Sequence, residues 1–308
     1  MSQISKNLVK IFDVTLRDGI QNLKTTSSKP IFTSGMKLQI MNRLIGANVK
    51  QVEFGSNVSL KITEMANTKD VVDSFDVYKP EPDVKLCLLV PNYKKYVETF
   101  KWKNSQHINN YSLITACSEG FIKKNTQMTF NQNLEEIDKI LHDTNNKFRL
   151  YVSCCFGCPI EGQTTSTHLD NLKTIVNKYS SNVNINEIVL SDTIGSYNMN
   201  QLDEYMRLYK SSKKISLHIH SDEHDKNIPS IVENYMFDIV SIDTSMGNIG
   251  GCPSVEKAKV KPNLSTLKVA EIINGLENKQ IYNLKEIAIL ESLVKDIIRS
   301  QLDNPPHL

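Results

Sequence analysis

Eight short apolar runs, most of them rich in β-branched residues, recur along the whole chain: VKIFDVT, KQVEFGS, DVKLCLLV, NYSLITA, FRLYVSC, INEIVLSD, KISLHIH and DIVSIDTS. Between most of them stand stretches with helical spacing, among them SGMKLQIMNRLIGAN, NYKKYVETFKW, TFNQNLEEIDKILHDT, STHLDNLKTIVNKYS and MNQLDEYMRLYK. Several open on Ser, Thr or Asn, as capped helices do. Strands that alternate with helices pair in parallel, because a parallel pair needs a long crossover. Eight repeats at a spacing of roughly 25 to 40 residues fit a closed (β/α)8 TIM barrel better than the runner-up, an open doubly wound sheet. No low-complexity linker divides the 308 residues, so 1–308 is read as a single barrel catalytic domain. Within 264–303, TLKVAEIINGLE and NLKEIAILESLVKDIIRSQL read as additional C-terminal helices that close or cover the barrel or join a subunit contact.

Charge then narrows the function classes. With 36 basic and 34 acidic side chains the net charge is +2, too little to draw the chain to nucleic acid or an anionic membrane. No run approaches the roughly 18 apolar residues of a membrane span, and MSQISKNLVK leads straight into the first strand. A soluble, cytoplasmic protein with no nucleic-acid or membrane partner is expected. Six cysteines, with Cys154 and Cys155 adjacent, do not make the framework of a small secreted domain, and reduced thiols are expected.

In a barrel, chemistry gathers where the strands end. Here those ends read DVTLRDGIQN, EFGSN, SCCFGCPIEG, SDTIG, HIHSDEHD and DTSMGNIGGCP, polar or glycine-rich directly after apolar runs. Ordinary turns are polar too, but acid, histidine, arginine and cysteine recur on this one rim. His218 and His220, two apart on a strand, point to the same face and can share one ion. Two hydrogen-bonded histidines on a half-buried strand are the plain alternative. Asp18, after the first strand, can face them across the rim of a closed barrel, and the amide oxygen of Asn263 would complete a mixed nitrogen and oxygen site. Such ligands suit Mg²⁺ or Mn²⁺, and two imidazoles also admit Zn²⁺, Co²⁺ or Fe²⁺. The rival C-x-x-C of Cys155 and Cys158 has no second pair at zinc spacing and is followed by Pro159 instead of a helix. His224 and Asp225 read as solvated loop residues.

Seven stretches together carry a resemblance: LRDGIQNLK, VEFGSNVS, CSEGFIKKN, YVSCCFGCPIEG, LSDTIG, HIH and GNIGGCP. With them the chain resembles the 3-hydroxy-3-methylglutaryl-CoA lyases, within the metal-dependent barrel lyases and synthases that include isopropylmalate and homocitrate synthases. The resemblance implies Asp18, His218, His220 and Asn263 as ligands of a divalent cation. It also implies Arg17 at the thioester carbonyl, Glu53 ordering the metal-side network, and Cys252 on a glycine-rich closing loop. Substrate contacts are expected from Gln21, Lys24, Ser56, Asn125, Asp192 and Thr193, and Lys123 and Lys124 are placed to meet phosphates of the acyl-CoA. Family members often form homodimers. Plainer roles stand beside these: Arg17 pairing with Asp18 or Glu53, Glu53 as a rim ion-pair partner, and Cys252 as a small buried hydrophobe.

The chain also departs from the family pattern. After HIH the family has D-x-x-G, whereas this chain has SDEHD; Ser221 stands in place of an acid that Asp222 would supply by a one-residue shift. From GGCP to Asn263 it runs two residues longer, with Pro262 for a glycine, and Phe54 and Gly55 replace small hydroxyl residues, which is expected to reshape the acyl pocket. The function implied is metal-dependent cleavage of 3-hydroxy-3-methylglutaryl-CoA to acetoacetate and acetyl-CoA. The alternatives are a related aldolase or Claisen-type synthase on another hydroxy or keto acid, and a degenerate non-catalytic barrel.

Overall fold

Each of the eight apolar runs forms a strand, and the strands are parallel neighbours in sequence order around a closed barrel. The computed structural model describes residues 8–23, 29–75, 83–142, 144–212, 214–221, 225–251 and 261–302. The strands are β1 (Lys10–Asp13), β2 (Gln51–Ser56), β3 (Lys85–Leu89), β4 (Asn110–Ala116), β5 (Phe148–Ser153), β6 (Ile185–Ser191), β7 (Ile215–His218) and β8 (Ser241–Thr244). Closure comes from β1 on β8, with Asp13 beside Thr244. Nearly every strand residue is buried, because one face meets the barrel interior and the other the helix layer.

The helices are α1 (Ser34–Gly46), α2 (Thr68–Asp73), α3 (Tyr93–Thr99), α4 (Glu119–Thr126), α5 (Phe130–His142), α6 (Ser166–Ser180), α7 (Met199–Tyr209), α8 (Asn227–Tyr235), α9 (Thr266–Leu276) and α10 (Leu284–Gln301). The expected caps are present. Side-chain oxygens of Thr33, Asn92, Asn198 and Asn283 each accept the backbone N–H three residues on. Three helices went unread in the sequence, α2, α4 and α8, of six, eight and nine residues, too short to show a full apolar period. Of the two C-terminal helices, α9 packs on β1 and beside α8, and so serves as the ordinary helix after β8. Only α10 is additional to the pattern. It lies against α1 and α9, tied by Arg43 Nε to Glu286 at 2.6 Å. Just before it, the Tyr282 hydroxyl accepts the Ile11 N–H. Among the described residues no helix is long and apolar enough to cross a membrane.

One strand irregularity corrects an expectation. β2 slips register against β3 between Glu53 and Gly55. Phe54 packs edge-on against Phe75 of the helix layer, and a Cβ at Gly55 would lie 2.7 Å from Thr68 Oγ1 on α2. Both residues therefore face the helices and neither lines an acyl pocket. The extra residue is a bulge of the kind that re-aims side chains beside active sites.

Candidate metal centre

Loops after β1, β7 and β8 meet at the carboxyl-end mouth. The first begins with a π-helical turn, Thr15–Gly19, in which the Gly19 N–H reaches back to the Val14 carbonyl; all five residues are buried. Such widened turns are uncommon and often mark functional sites. This one carries Arg17 and Asp18 inward. β7 ends at His218, two residues earlier than an unbroken strand through His220 requires. His220 instead forms an antiparallel bridge with Asn263, and the Ser221 N–H donates to the Pro262 carbonyl at 3.0 Å. Asn263 in turn hydrogen-bonds through its N–H to the Ile249 carbonyl in the β8 loop. The altered spacing thus still delivers the amide to the mouth.

Ligand atoms of Asp18, His218 and His220 all lie within 4.8 Å of one another, and all three residues are buried. The Asp18 carboxylate accepts from Arg17 Nη1 and Gln21 Nε2, each at 2.6 Å, and from Asn263 Nδ2 at 3.0 Å. Burial alone would raise its pKa; the Arg17 guanidinium, the two imidazoles and the Asn263 amide outweigh that and hold it at about 2. Burial beside His218 pushes His220 down to about 4, so His220 is neutral and able to ligate at pH 7.

The nitrogens of the pair are arranged for an ion. His218 Nδ1 lies 3.0 Å from Asp243 Oδ2, an acceptor only, so a neutral His218 carries its proton on Nδ1 and leaves Nε2 bare. That Nε2 stands 3.1 Å from His220 Nε2 and 3.9 Å from Asp18 Oδ2. The Pro262 carbonyl slightly favours protonated His220 but makes no properly formed bond with Nδ1. With Nδ1–H turned toward that carbonyl, two bare nitrogens face each other, and they repel unless a cation or proton lies between. Asn263 Oδ1 and Glu53 Oε1 are likewise buried and unpartnered. Buried polar atoms are normally satisfied, and the unpartnered Asn263 Oδ1 beside the three converging residues suits a site able to hold a cation.

The other expected site residues divide. Arg17 does pair with both neighbours, giving Nε to Glu53 Oε2 at 2.5 Å and Nη1 to Asp18. Gln21 orients Asp18 directly. Ser56 is buried at the end of β2. Asp192, raised to about 6 by burial, accepts the backbone N–H groups of Ser196 and Tyr197, and its own N–H donates to the His218 carbonyl. Thr193 Oγ1 accepts the Cys154 N–H at 2.7 Å. Asn125, exposed on α4, donates to the Phe121 carbonyl in its own helix. Lys24, Asp222, His224 and Cys252 lie outside the described residues. Asp225 is more than a solvated loop residue: its carboxylate accepts the Tyr197 and Ser221 hydroxyls, each at 2.5 Å, and so supplies an acid beside Ser221. Cys155 and Cys158 do not act as a pair, since Cys155 Sγ donates to the Val152 carbonyl and Cys158 Sγ to Ser118 Oγ.

Missed in the sequence was a second polar layer within the barrel: Arg149, Tyr151, Glu187 and Asp243. Its signal was there to be read, since each is an ionisable residue inside an apolar strand run, and such groups are seldom fully buried unless paired.

Comparison with known proteins agrees with this geometry. The HMGL-like family model matches residues 8–294. The chain is 29% identical over 295 residues to the human cytoplasmic 3-hydroxy-3-methylglutaryl-CoA lyase, covering 93% of this chain and 75% of that protein. It is 27% identical over 286 residues to the mitochondrial hydroxymethylglutaryl-CoA lyase of Macaca fascicularis, covering 91% and 82%. Among solved structures, an HMG-CoA lyase from Acenitobacter baumannii in complex with coenzyme A and 3-methylmalate superimposes with a TM-score of 0.81 at 22% identity, covering 100% of this chain and 96% of that one. A hydroxymethylglutaryl-CoA lyase from Pseudomonas aeruginosa gives 0.79 at 23%, covering 94% and 93%. The barrel, the cluster at its mouth and the extent of the family match lead to one conclusion: this chain belongs to the HMGL-like family, that of the 3-hydroxy-3-methylglutaryl-CoA lyases.

Proposed function

We propose that the chain cleaves 3-hydroxy-3-methylglutaryl-CoA to acetoacetate and acetyl-CoA in a reaction that depends on a divalent cation. The observation that carries this reading is the buried convergence of Asp18, His218 and His220 within 4.8 Å, with Arg17 against Asp18. Those three residues and Asn263 Oδ1 would hold the cation, and a mixed set without thiolate suits Mg²⁺ or Mn²⁺. Bound there, a cation supplies Lewis acidity that lowers the pKa of the substrate's tertiary hydroxyl.

The chain's own residues do the rest. Asp18 and His218 are the groups placed to take the hydroxyl proton. Asp18, held at about 2, is a weak base. With Nδ1 held by Asp243, His218 has only Nε2 to offer, and Nε2 serves either the cation or that proton, not both at once. Arg17 uses Nε on Glu53 and Nη1 on Asp18, which leaves Nη2 for the oxygen of the departing enolate. Cys252, following Gly250 and Gly251, is assigned protonation of the enolate carbon. We place the reaction in the cytoplasm. The test is acetoacetate formation from 3-hydroxy-3-methylglutaryl-CoA with Mg²⁺ or Mn²⁺, expected to be lost on chelation and in Asp18→Ala. Metal binding without turnover would point to a related aldolase or synthase, and neither to a non-catalytic barrel.

A further inference from the structure

Below the mouth, one guanidinium ties both halves of the site together. Arg149 is fully buried, with its charge 3.8 Å from the centroid of the Phe12 ring. All five of its N–H donors are engaged. Nε meets Glu187 Oε2 at 3.0 Å, Nη1 meets the Tyr151 hydroxyl at 2.6 Å and Asp243 Oδ2 at 3.0 Å, and Nη2 meets Ser241 Oγ at 3.2 Å and Asp243 Oδ1. From there two arms rise. One runs through Asp243 Oδ2 to His218 Nδ1. The other runs through the Tyr151 hydroxyl, 3.0 Å from Asp243 Oδ2 and 3.2 Å from Glu53 Oε2, and on from Glu53 to Arg17.

Burying four such groups costs more than an apolar core of equal volume, so stability alone does not account for them. We propose that Asp243, clamped bidentately by Arg149, is a positioning residue that fixes His218 in the Nδ1–H tautomer with Nε2 aimed at Asp18 and His220. Arg149 is placed to restrain the Glu53 and Arg17 pair through Tyr151 in the same way. Carboxylates behind ligating histidines commonly set tautomer and ring orientation, and their loss typically lowers metal affinity 10- to 100-fold. This inference rests on the cation-binding reading of the mouth.

The first measurement needs no variant: ¹⁵N chemical shifts of His218 in the metal-free wild-type protein. Nδ1–H is expected, and Nε2–H overturns the proposal. Next, Asp243→Asn keeps the volume but can present an N–H to His218, moving its proton to Nε2. Mn²⁺ affinity, read by electron paramagnetic resonance, should fall 10- to 100-fold, and Arg149→Lys should follow it in the same direction. Glu187→Gln, which touches Arg149 Nε but neither Asp243 nor His218, should change Mn²⁺ affinity less than threefold. Wild-type Mn²⁺ affinity in a folded Asp243→Asn protein overturns the proposal. Failure of the wild type itself to bind Mn²⁺ sinks the cation reading instead, and the tautomer measurement keeps the two failures apart.

Discussion

Two polar layers of one barrel behave in opposite ways. Around Arg149 every guanidinium donor has a partner, and the Glu187 carboxylate is shared by Lys85, Ser216 and Ser241 as well. At the mouth above it, His220 Nδ1, Asn263 Oδ1 and Glu53 Oε1 have none. Both layers are buried and charged, so burial and charge do not separate scaffold from site. Unused hydrogen-bonding capacity does so only together with a ligand set, since Gln51 Oε1, Asn110 Oδ1 and Thr115 Oγ1 on β2 and β4 are unpartnered too, and among the described residues only the mouth has Asp18, His218 and His220 converging. A closed polar network is finished by the chain itself; an open one is finished by something the chain binds.

The largest test of that contrast is Asp18→Ala, which removes a carboxylate from the open layer alone. Turnover should fall roughly 10³-fold or more, and Mn²⁺ binding with it, while the protein stays folded at a stability cost of about 3 kcal/mol from the partners left behind. Comparable turnover in wild type and variant would erase the distinction between the layers. Arg17→Lys keeps the charge but cannot reach Glu53 and Asp18 together, so kcat should drop by about 10²- to 10³-fold with the fold intact.

A third test concerns Asp13, at the tip of β1 on the side of α9, where its carboxylate accepts the Thr15 N–H and the Thr266 hydroxyl. Burial raises its pKa from 3.8 to about 6 against those hydrogen bonds. The sign follows from proton binding. Between these values the folded state holds the proton more tightly than the unfolded chain, so wild-type stability declines as pH rises through the window. Asp13→Asn removes that penalty. Its stability relative to wild type should improve by up to about 3 kcal/mol between pH 4 and pH 7.5, measured by denaturant unfolding at both. A pH-independent difference would mean that Asp13 is not buried in the way described.

Gly250→Ala sharpens the contrast from the open side. With φ of +111° and a Cβ that would fall 2.3 Å from Asn263 Nδ2, alanine must push the amide away from Asp18. A cost of about 1 to 3 kcal/mol in stability and a measurable weakening of Mn²⁺ binding are expected. Smallest of all is Lys69→Ala, which breaks an exposed i,i+4 pair with Asp73 on α2 and should change stability by less than about 1 kcal/mol without touching metal affinity.

How much of this was legible beforehand differs by element. His218, His220 and Asp18 stood out because strand alternation and barrel closure are local rules with long-range geometric consequences. Asn263 could be offered from sequence only as an amide of suitable chemistry, because its position depends on the bridge to His220 and on the Ile249 carbonyl, neither of which leaves a mark in sequence. Phe54 and Gly55 were set at the pocket by the family pattern; with Glu53 inward, alternation itself turns Phe54 to the helices, and the bulge between Glu53 and Gly55 turns Gly55 there too. Arg149 and Asp243 passed unnoticed, although a charge inside each of FRLYVS and SIDT was the available sign.

The amino-acid sequence alone determined the alternation of strands and helices, and with it the barrel, its direction and the rim where polar residues collect. Period-two and period-3.6 patterns encode which face of each element is buried, and a parallel eightfold repeat has few ways to close. Tertiary structure alone decided which rim residues meet, which nitrogens stay bare and which carboxylate stands behind His218. Those depend on contacts between residues up to 245 positions apart, as between Asp18 and Asn263, set by the closing of the ring and not by any local preference.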